Sequence, residues 1–374
     1  MNKLLLLYLV LGTAIIGMAQ ESPVLDNGQP ESSEPQEVFP EIRITSFDSI
    51  PNEPKVEARF SYVKDTISYE EWIAIELRGN SSLRYPKKSY DLEIRVDSTS
   101  ETSKDLQLGS MRSDDDWILN SVYNEPLKLR SYFSNQLWSE MVASRDTAGT
   151  RNGQAGIKAD FVEVYLNDAY QGIYLLSEQV DRKLLKVKKM QGDTVRGLIY
   201  KAGSYADGTN FRKAETFSNA LPIWSGFEMD YPYENFESHW EELYKFVDLV
   251  VNGNEKSFAA TVNKELDLDN AIDYFIFINL LRATDNMGKN YFLARRDVES
   301  PFYLIPWDLD GVLGTIQDGK RISTTNDILT NGLFDRLFAE NPWNYRERLK
   351  ERWKALRAHE LELDKMLERL RSIH

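Results

Sequence analysis

The sequence predicts an α+β fold in two parts, a small, mixed, β-rich N-terminal portion and a mainly helical C-terminal one. Three observations carry this. Apolar and polar residues alternate with period two through residues 72–96, the mark of strands with one buried face. Leu129, Phe133, Leu137 and Met141 then follow the four-residue step of one helical face. From Glu237 onward helical patterns dominate, with a nearly all-round apolar stretch at 268–284 and a charged amphipathic one beyond 345. With 374 residues, 42% of them hydrophobic, the chain has ample material for a core, and its length fits one large or two medium domains.

The N-terminus, "MNKLLLLYLVLGTAIIGMAQES", has one Lys, an apolar stretch short for a membrane span, and small residues at Gly17 and Ala19. It reads as a cleaved secretory signal over residues 1–19, with an uncleaved anchor helix as the alternative, and no stable span is expected after its removal. Residues 20–40, rich in Pro, Ser, Glu and Gln, read as a disordered leader. In "EWIAIELRGNSS", Ile73, Ile75 and Leu77 alternate with Ala74, Glu76 and Arg78 up to Gly79-Asn80, which end the strand. In "YPKKSYDLEIRV", Lys88 shares the parity of Tyr90, Leu92, Ile94 and Val96. A Lys on an apolar strand face needs an anionic partner or a route to water at the strand mouth. The helix around 129–141 comes next. "DFVEVYLNDAYQGIYLLSEQV" reads as a hairpin turning at Asn167-Asp168 and ending at Glu178, and "GLIYKAG" as a further strand. The N-terminal part is thus placed at about 41–180 and the C-terminal part at about 181–374.

Composition excludes several chemistries. The chain has no cysteine, hence no disulfide, thiolate nucleophile or Cys-ligated metal. Its three histidines, His239, His359 and His374, come without a Gly-x-Ser-x-Gly elbow, which argues against a hydrolase triad. A net charge of −14 repels a phosphate backbone, so no nucleic-acid partner is expected. A nucleotide can still bind where a few cations and a divalent metal converge in one cleft.

The chemistry concentrates in "RATDNMGKNYFLARRDVESPFYLIPWDLDG", Arg282 to Gly311. The segments "NYFLA" and "SPFYLIP" read as two strands of a hairpin, which would bring Asn290 at the start of one near Asp308 at the end of the other, with Asp285 one loop away. Hard oxygen ligands of this kind suit magnesium, which shares substrate phosphates for the rest of its shell. An Asp, an Asn five residues later and a metal-binding Asp on the next hairpin also match the catalytic geometry of protein kinases. Taken singly, Asp285 and Asn290 could be turn residues, and Asp308 with Asp310 could bind structural calcium. Trp307, Trp117 and Tyr291 read as core aromatics.

Five blocks, "LRGNSSLRYPKKSYDLEI", "DDDWILNSVYNEPLKLRSYFSNQL", "FVEVYLNDAYQGIYLLSEQV", "DNMGKNYF" and "FYLIPWDLDG", occur in this order from about 70 to 315. Together they resemble the spore-coat CotH kinase family. The resemblance implies a two-lobed, protein-kinase-like fold over 41–374 and an atypical secretory kinase. Such an enzyme would phosphorylate Ser or Thr of exported proteins with ATP and Mg2+ or Mn2+. It further implies that Asp285 orients or deprotonates the acceptor hydroxyl and that Asn290 and Asp308 hold the metal. Lys88 would contact phosphate, Arg78, Asn80 and Ser81 would occupy the place of a phosphate-covering loop, and Glu178 would lie by the adenine at the junction of the lobes. Glu140 is the helix acid taken to pair with Lys88. The chain departs from ordinary kinases in lacking a Gly-x-Gly-x-x-Gly loop, a His-Arg before Asp285, and Phe-Gly after Asp308.

Two other readings compete. "YLIPWDLDGVLGT" mimics the Asp-x-Asp-Gly start of haloacid-dehalogenase-type phosphatases, with Asp308 as nucleophile; only 63 residues follow Gly311, too few for the later motifs of such enzymes. The other is a kinase-like surface protein, an adhesin or pseudokinase, that binds without turnover. Exported compartments are poor in ATP, which favours binding, whereas retention of Asp285, Asn290 and Asp308 favours chemistry. The chain is expected to act in the periplasm, at the cell surface or outside the cell. Its acidity suggests a basic acceptor protein.

Overall fold

In the computed structural model, residues 38–146, 153–233, 237–316, 318–323 and 325–373 are described. The expected signal peptide and residues 20–37 of the leader lie outside them. Pro40 is buried and its carbonyl accepts from Glu163 N.

Strands β1 (Glu41–Ser46), β2 (Val56–Lys64), β3 (Ile67–Arg78), β4 (Ser89–Arg95), β7 (Asp116–Asn120), β8 (Ala159–Leu166) and β9 (Ala169–Glu178) form a closed barrel in the order β1-β2-β3-β4-β7-β9-β8. Neighbours pair antiparallel, except that β1 runs parallel to β8 and closes the barrel, Ile42 opposite Val164. Alternate residues fill the interior, among them Ile42, Phe60, Ile73, Leu92, Trp117 and Tyr174. Two short strands, β5 (Leu106–Gln107) and β6 (Ser113–Asp114), pair beside it.

A second sheet has the order β11-β12-β10-β13-β14, built from β10 (Leu198–Ala202), β11 (Ile223–Trp224), β12 (Phe227–Tyr231), β13 (Tyr291–Arg295) and β14 (Tyr303–Pro306). Among the described residues there are also seven α-helices: α1 (Arg130–Arg145), α2 (Glu241–Asn252), α3 (Glu255–Glu265), α4 (Leu268–Leu281), α5 (Gly332–Glu340), α6 (Tyr345–Ala358) and α7 (Leu363–Ile373). Helix α4 is buried nearly all round, as its composition predicts. Asp267 caps it by accepting from Asp269 N and Asn270 N.

Helix α1 follows the first strands in sequence but packs with the helices. Trp138 lies edge-on to Phe277, and Arg145 pairs with Asp269 and Asp273 of α4, where Arg348 and Arg352 of α6 join it. This corrects the expected pairing of Glu140 with Lys88, because Glu140 is held by Arg369 of α7. The C-terminal part, expected to be mainly helical, also holds the second sheet, whose strands β10, β13 and β14 fall at the runs read as strands in the sequence. Phe39–Ile322 and Leu329–His374 form one compact unit; the described residues outside it, Val38, 323 and 325–328, form no helix or strand. Among the described residues no helix is long and apolar enough to cross a membrane.

Candidate active site

The site grows from the predicted hairpin. All residues of β13 and β14 are buried, and Tyr291 pairs with Pro306. Proline suits the last position of that strand, where its missing N–H breaks no ladder. Beyond it, Trp307 N donates to Asn290 O (3.0 Å), and Asn290 N donates to Ala202 O (2.8 Å) at the end of β10. The buried Asn286 locks the mouth of the hairpin, its Nδ2 donating to Asn290 O (2.6 Å) and Trp307 O (2.8 Å). Tyr274 of α4 in turn donates to Asn286 O (2.6 Å).

Asn290 and Asp308 therefore stand at the two ends of one hairpin. Both adopt left-handed backbone, with φ of +55° and +54°, a conformation Asn and Asp tolerate better than most residues. That gives a backbone reason for the residue types but none for the state of the side chains. Neither Asn290 nor Asp308 makes a side-chain hydrogen bond or close ion pair among the described residues. Asp308 is open to solvent, yet the protein around it desolvates its carboxyl and raises its pKa. Lys289 and Arg78 act against that rise, as does Lys201, while Asp285 adds to it. Asp310 is raised too, by burial and then by the charge of Asp308, although Asn124 Nδ2 donates to it at 2.5 Å.

Asp285 opens a single 3-10 turn after α4. Its Oδ2 lies 2.9 Å from the Lys289 ammonium. Tyr205 reaches over from the segment after β10 and donates to Thr284 O at 2.8 Å.

The residues expected to hold nucleotide are placed unevenly. Arg78, the last residue of β3, bonds Asp91 Oδ2 (2.6 Å), and its guanidinium lies 5.7 Å from the Trp307 ring centroid, so it does reach the hairpin. Asn80 and Ser81 are exposed and begin a 3-10 turn, Ser81–Arg84, that follows Gly79; its φ of +110° favours glycine.

Lys88 is not on the inward face of β4, because the strand starts at Ser89 and the parity argument does not extend to Lys88. Its ammonium turns back to donate to Leu83 O (2.6 Å). Lys87 is the lysine that reaches over the barrel, donating to Ile173 O (2.5 Å) and lying 3.9 Å from the Tyr174 ring centroid. Desolvation, aided by nearby Lys128, lowers its pKa to about 8.

Glu178 ends β9 as predicted, but both its oxygens are engaged: Oε1 accepts from Arg112 N and Oε2 from Lys158 N, each at 2.8 Å. With only 3% of the residue exposed, the side chain clamps two loops together. Of the predicted aromatics, Trp117 and Tyr291 are core residues, whereas Trp307 is partly exposed.

Lys289, Lys201 and Tyr205 were not singled out from sequence. Lys289, four residues after Asp285, carried the only readable signal, an i,i+4 charge pair.

Asn290 and Asp308 offer hard oxygens without internal partners, and Asp308 feels the charge of Asp285 and acts on Asp310, a donor set of the kind a divalent metal takes.

A family model described as CotH kinase protein matches residues 75–374. The inner spore coat protein H of Bacillus subtilis (strain 168) is 25% identical over 254 residues, which cover 67% of this chain and 61% of that protein. The match thus spans less than two thirds of the curated relative's length.

Proposed function

Because the chain belongs to the CotH kinase protein family, we propose that it is an exported atypical protein kinase of two-lobed, kinase-like architecture. It would transfer the terminal phosphate of ATP to Ser or Thr of an exported protein, with Mg2+ or Mn2+. The observation that carries this reading is the pair of partner-free oxygen side chains, Asn290 and Asp308, at the two ends of one hairpin within the field of Lys289 and Arg78.

In this reading Asn290 and Asp308 would hold the metal. When bound, the metal supplies charge neutralisation for the phosphates. Asp285 orients the acceptor hydroxyl and takes its proton as the oxygen attacks phosphorus. Lys289, already 2.9 Å from Asp285, holds that carboxylate in place and offsets negative charge on the transferred group. Arg78, held by Asp91, brings a second cation from the barrel side. Preorganised charge of this kind is where most catalytic stabilisation arises.

The test is incubation of the purified chain with terminally labelled ATP and Mg2+ or Mn2+, beside an Asp285→Ala control, reading label and intact mass of the protein and of a basic acceptor. Label with the wild type alone supports the reading. No label and no nucleotide binding would move the assignment to a kinase-like binding protein. One observation favours that second reading: both Lys87 and Lys88 donate to backbone carbonyls.

A further inference from the structure

Beside Asp285 the protein has a cavity of about 560 Å3 lined by Tyr205, Asp207, Asn210, Arg212, Glu215 and Met287, among others. We propose that this cavity is the acceptor subsite, receiving a polar side chain next to the Ser or Thr to be phosphorylated, and that Tyr205 is the positioning residue that sets Asp285 against it. The inference rests on the kinase reading above and extends it to the acceptor.

The geometry is specific to Tyr205. Its hydroxyl has one proton to give and lies closest to Thr284 O (2.8 Å); its next neighbours are Asp285 O (3.2 Å) and Asp285 Oδ1 (3.5 Å). It thus pins the peptide that leads into Asp285. The ring covers Gly288 so closely that a Cβ there would meet ring carbons at 2.6 Å. The same ring forms a wall of the cavity, so one side chain touches both the loop bearing Asp285 and the space next to it. Asn210, on the cavity lining, belongs to the same support: its carbonyl accepts from Gly332 N at the start of α5 (2.9 Å).

The lining also defines what would fit. Apart from Tyr205, Ala206 and Met287 it is polar or charged, so an apolar neighbour of the acceptor residue would gain little there. Asp207 and Arg212 are exposed, and their side chains make no hydrogen bond or ion pair among the described residues. They can meet a ligand without first breaking an internal contact. Glu215, by contrast, is engaged with Lys213 at 3.2 Å.

The experiment uses the full chain, Mg-ATP and a degenerate Ser/Thr peptide array, followed by kinetics on the best peptide. Tyr205→Phe should lower kcat about tenfold, roughly 1.4 kcal/mol, with KM for ATP and melting temperature unchanged. Tyr205→Ala should also raise KM for the peptide. Asp207→Ala and Arg212→Ala should change the preference at one array position next to the acceptor while leaving nucleotide affinity as it was. Wild-type kinetics in Tyr205→Phe, together with an unaltered array pattern in the two cavity variants, would overturn the proposal while leaving the kinase reading standing. A fall in kcat accompanied by equal losses in ATP affinity and melting temperature would also overturn it, since that marks a merely structural tyrosine. Absence of any transfer by the wild type would remove the kinase reading and this inference with it.

Discussion

Two hairpins of this protein each end in an acidic residue, and they use it oppositely. At the end of β9, Glu178 is buried and each of its oxygens accepts from a backbone N–H. Beyond the end of β14, Asp308 is open to solvent and makes no hydrogen bond among the described residues, while its surroundings raise its pKa. In sequence both are a carboxylate closing an apolar run. What separates them is whether neighbouring loops aim backbone donors at the carboxylate. Where they do, the charge is spent on structure; where they do not, it is left available to a cation or a substrate.

The comparison can be broken most directly at Asp308. Asp308→Ala should reduce phosphate transfer by about a thousandfold, ~4 kcal/mol of transition-state stabilisation, without lowering the melting temperature, since no internal bond is lost. A fully active variant would end the assignment. Glu178→Ala should do the reverse and cost about 1 to 3 kcal/mol in all for the two charge-assisted hydrogen bonds lost, read as a drop in denaturation midpoint. If its midpoint held and only nucleotide affinity fell, the contrast between the hairpins would collapse. Gly288→Ala is expected to cost about 1 to 3 kcal/mol by overpacking against Tyr205, measured by thermal melting, with transfer falling as the loop shifts.

The smallest effect concerns the barrel mouth. The folded pKa of Lys87, about 8, lies below the ordinary 10.5, so between those values the unfolded chain binds a proton that the folded chain has shed. Stability from this group therefore rises with pH across that window, and Lys87→Met should flatten the rise in melting temperature measured from pH 8 to 10.

Much of the site was readable from residues alone because it depends on local pattern. The run "NYFLA", the Pro306 that ends its partner, and the Asn and Asp flanking them specify a hairpin whose ends must meet. The helix around Phe133 and the turn at Asn167-Asp168 were legible for the same reason. What escaped depends on contacts distant in sequence. The parity argument for Lys88 fails because the strand starts one residue later, a boundary decided by tertiary pairing. Glu140 was assigned to Lys88 because period shows which face of a helix is buried but not what that face meets, here α4 and α7. Lys201 and Tyr205 approach Asp285 and Asp308 only after β10 has paired with β13, and no local signal announces that pairing.

The parallel pairing of β1 with β8 has a consequence for how copies of this protein behave together. An open sheet of seven strands would present two rows of unpaired backbone donors and acceptors, each a template for a strand of another molecule. Closing the ring leaves no such margin in the larger sheet, so crowding at high concentration would not by itself promote strand-to-strand association there. Loss of β1 would unzip the ring at two seams, since β1 also pairs with β2. The first strand of the fold thus guards the colloidal behaviour of the protein as much as its stability.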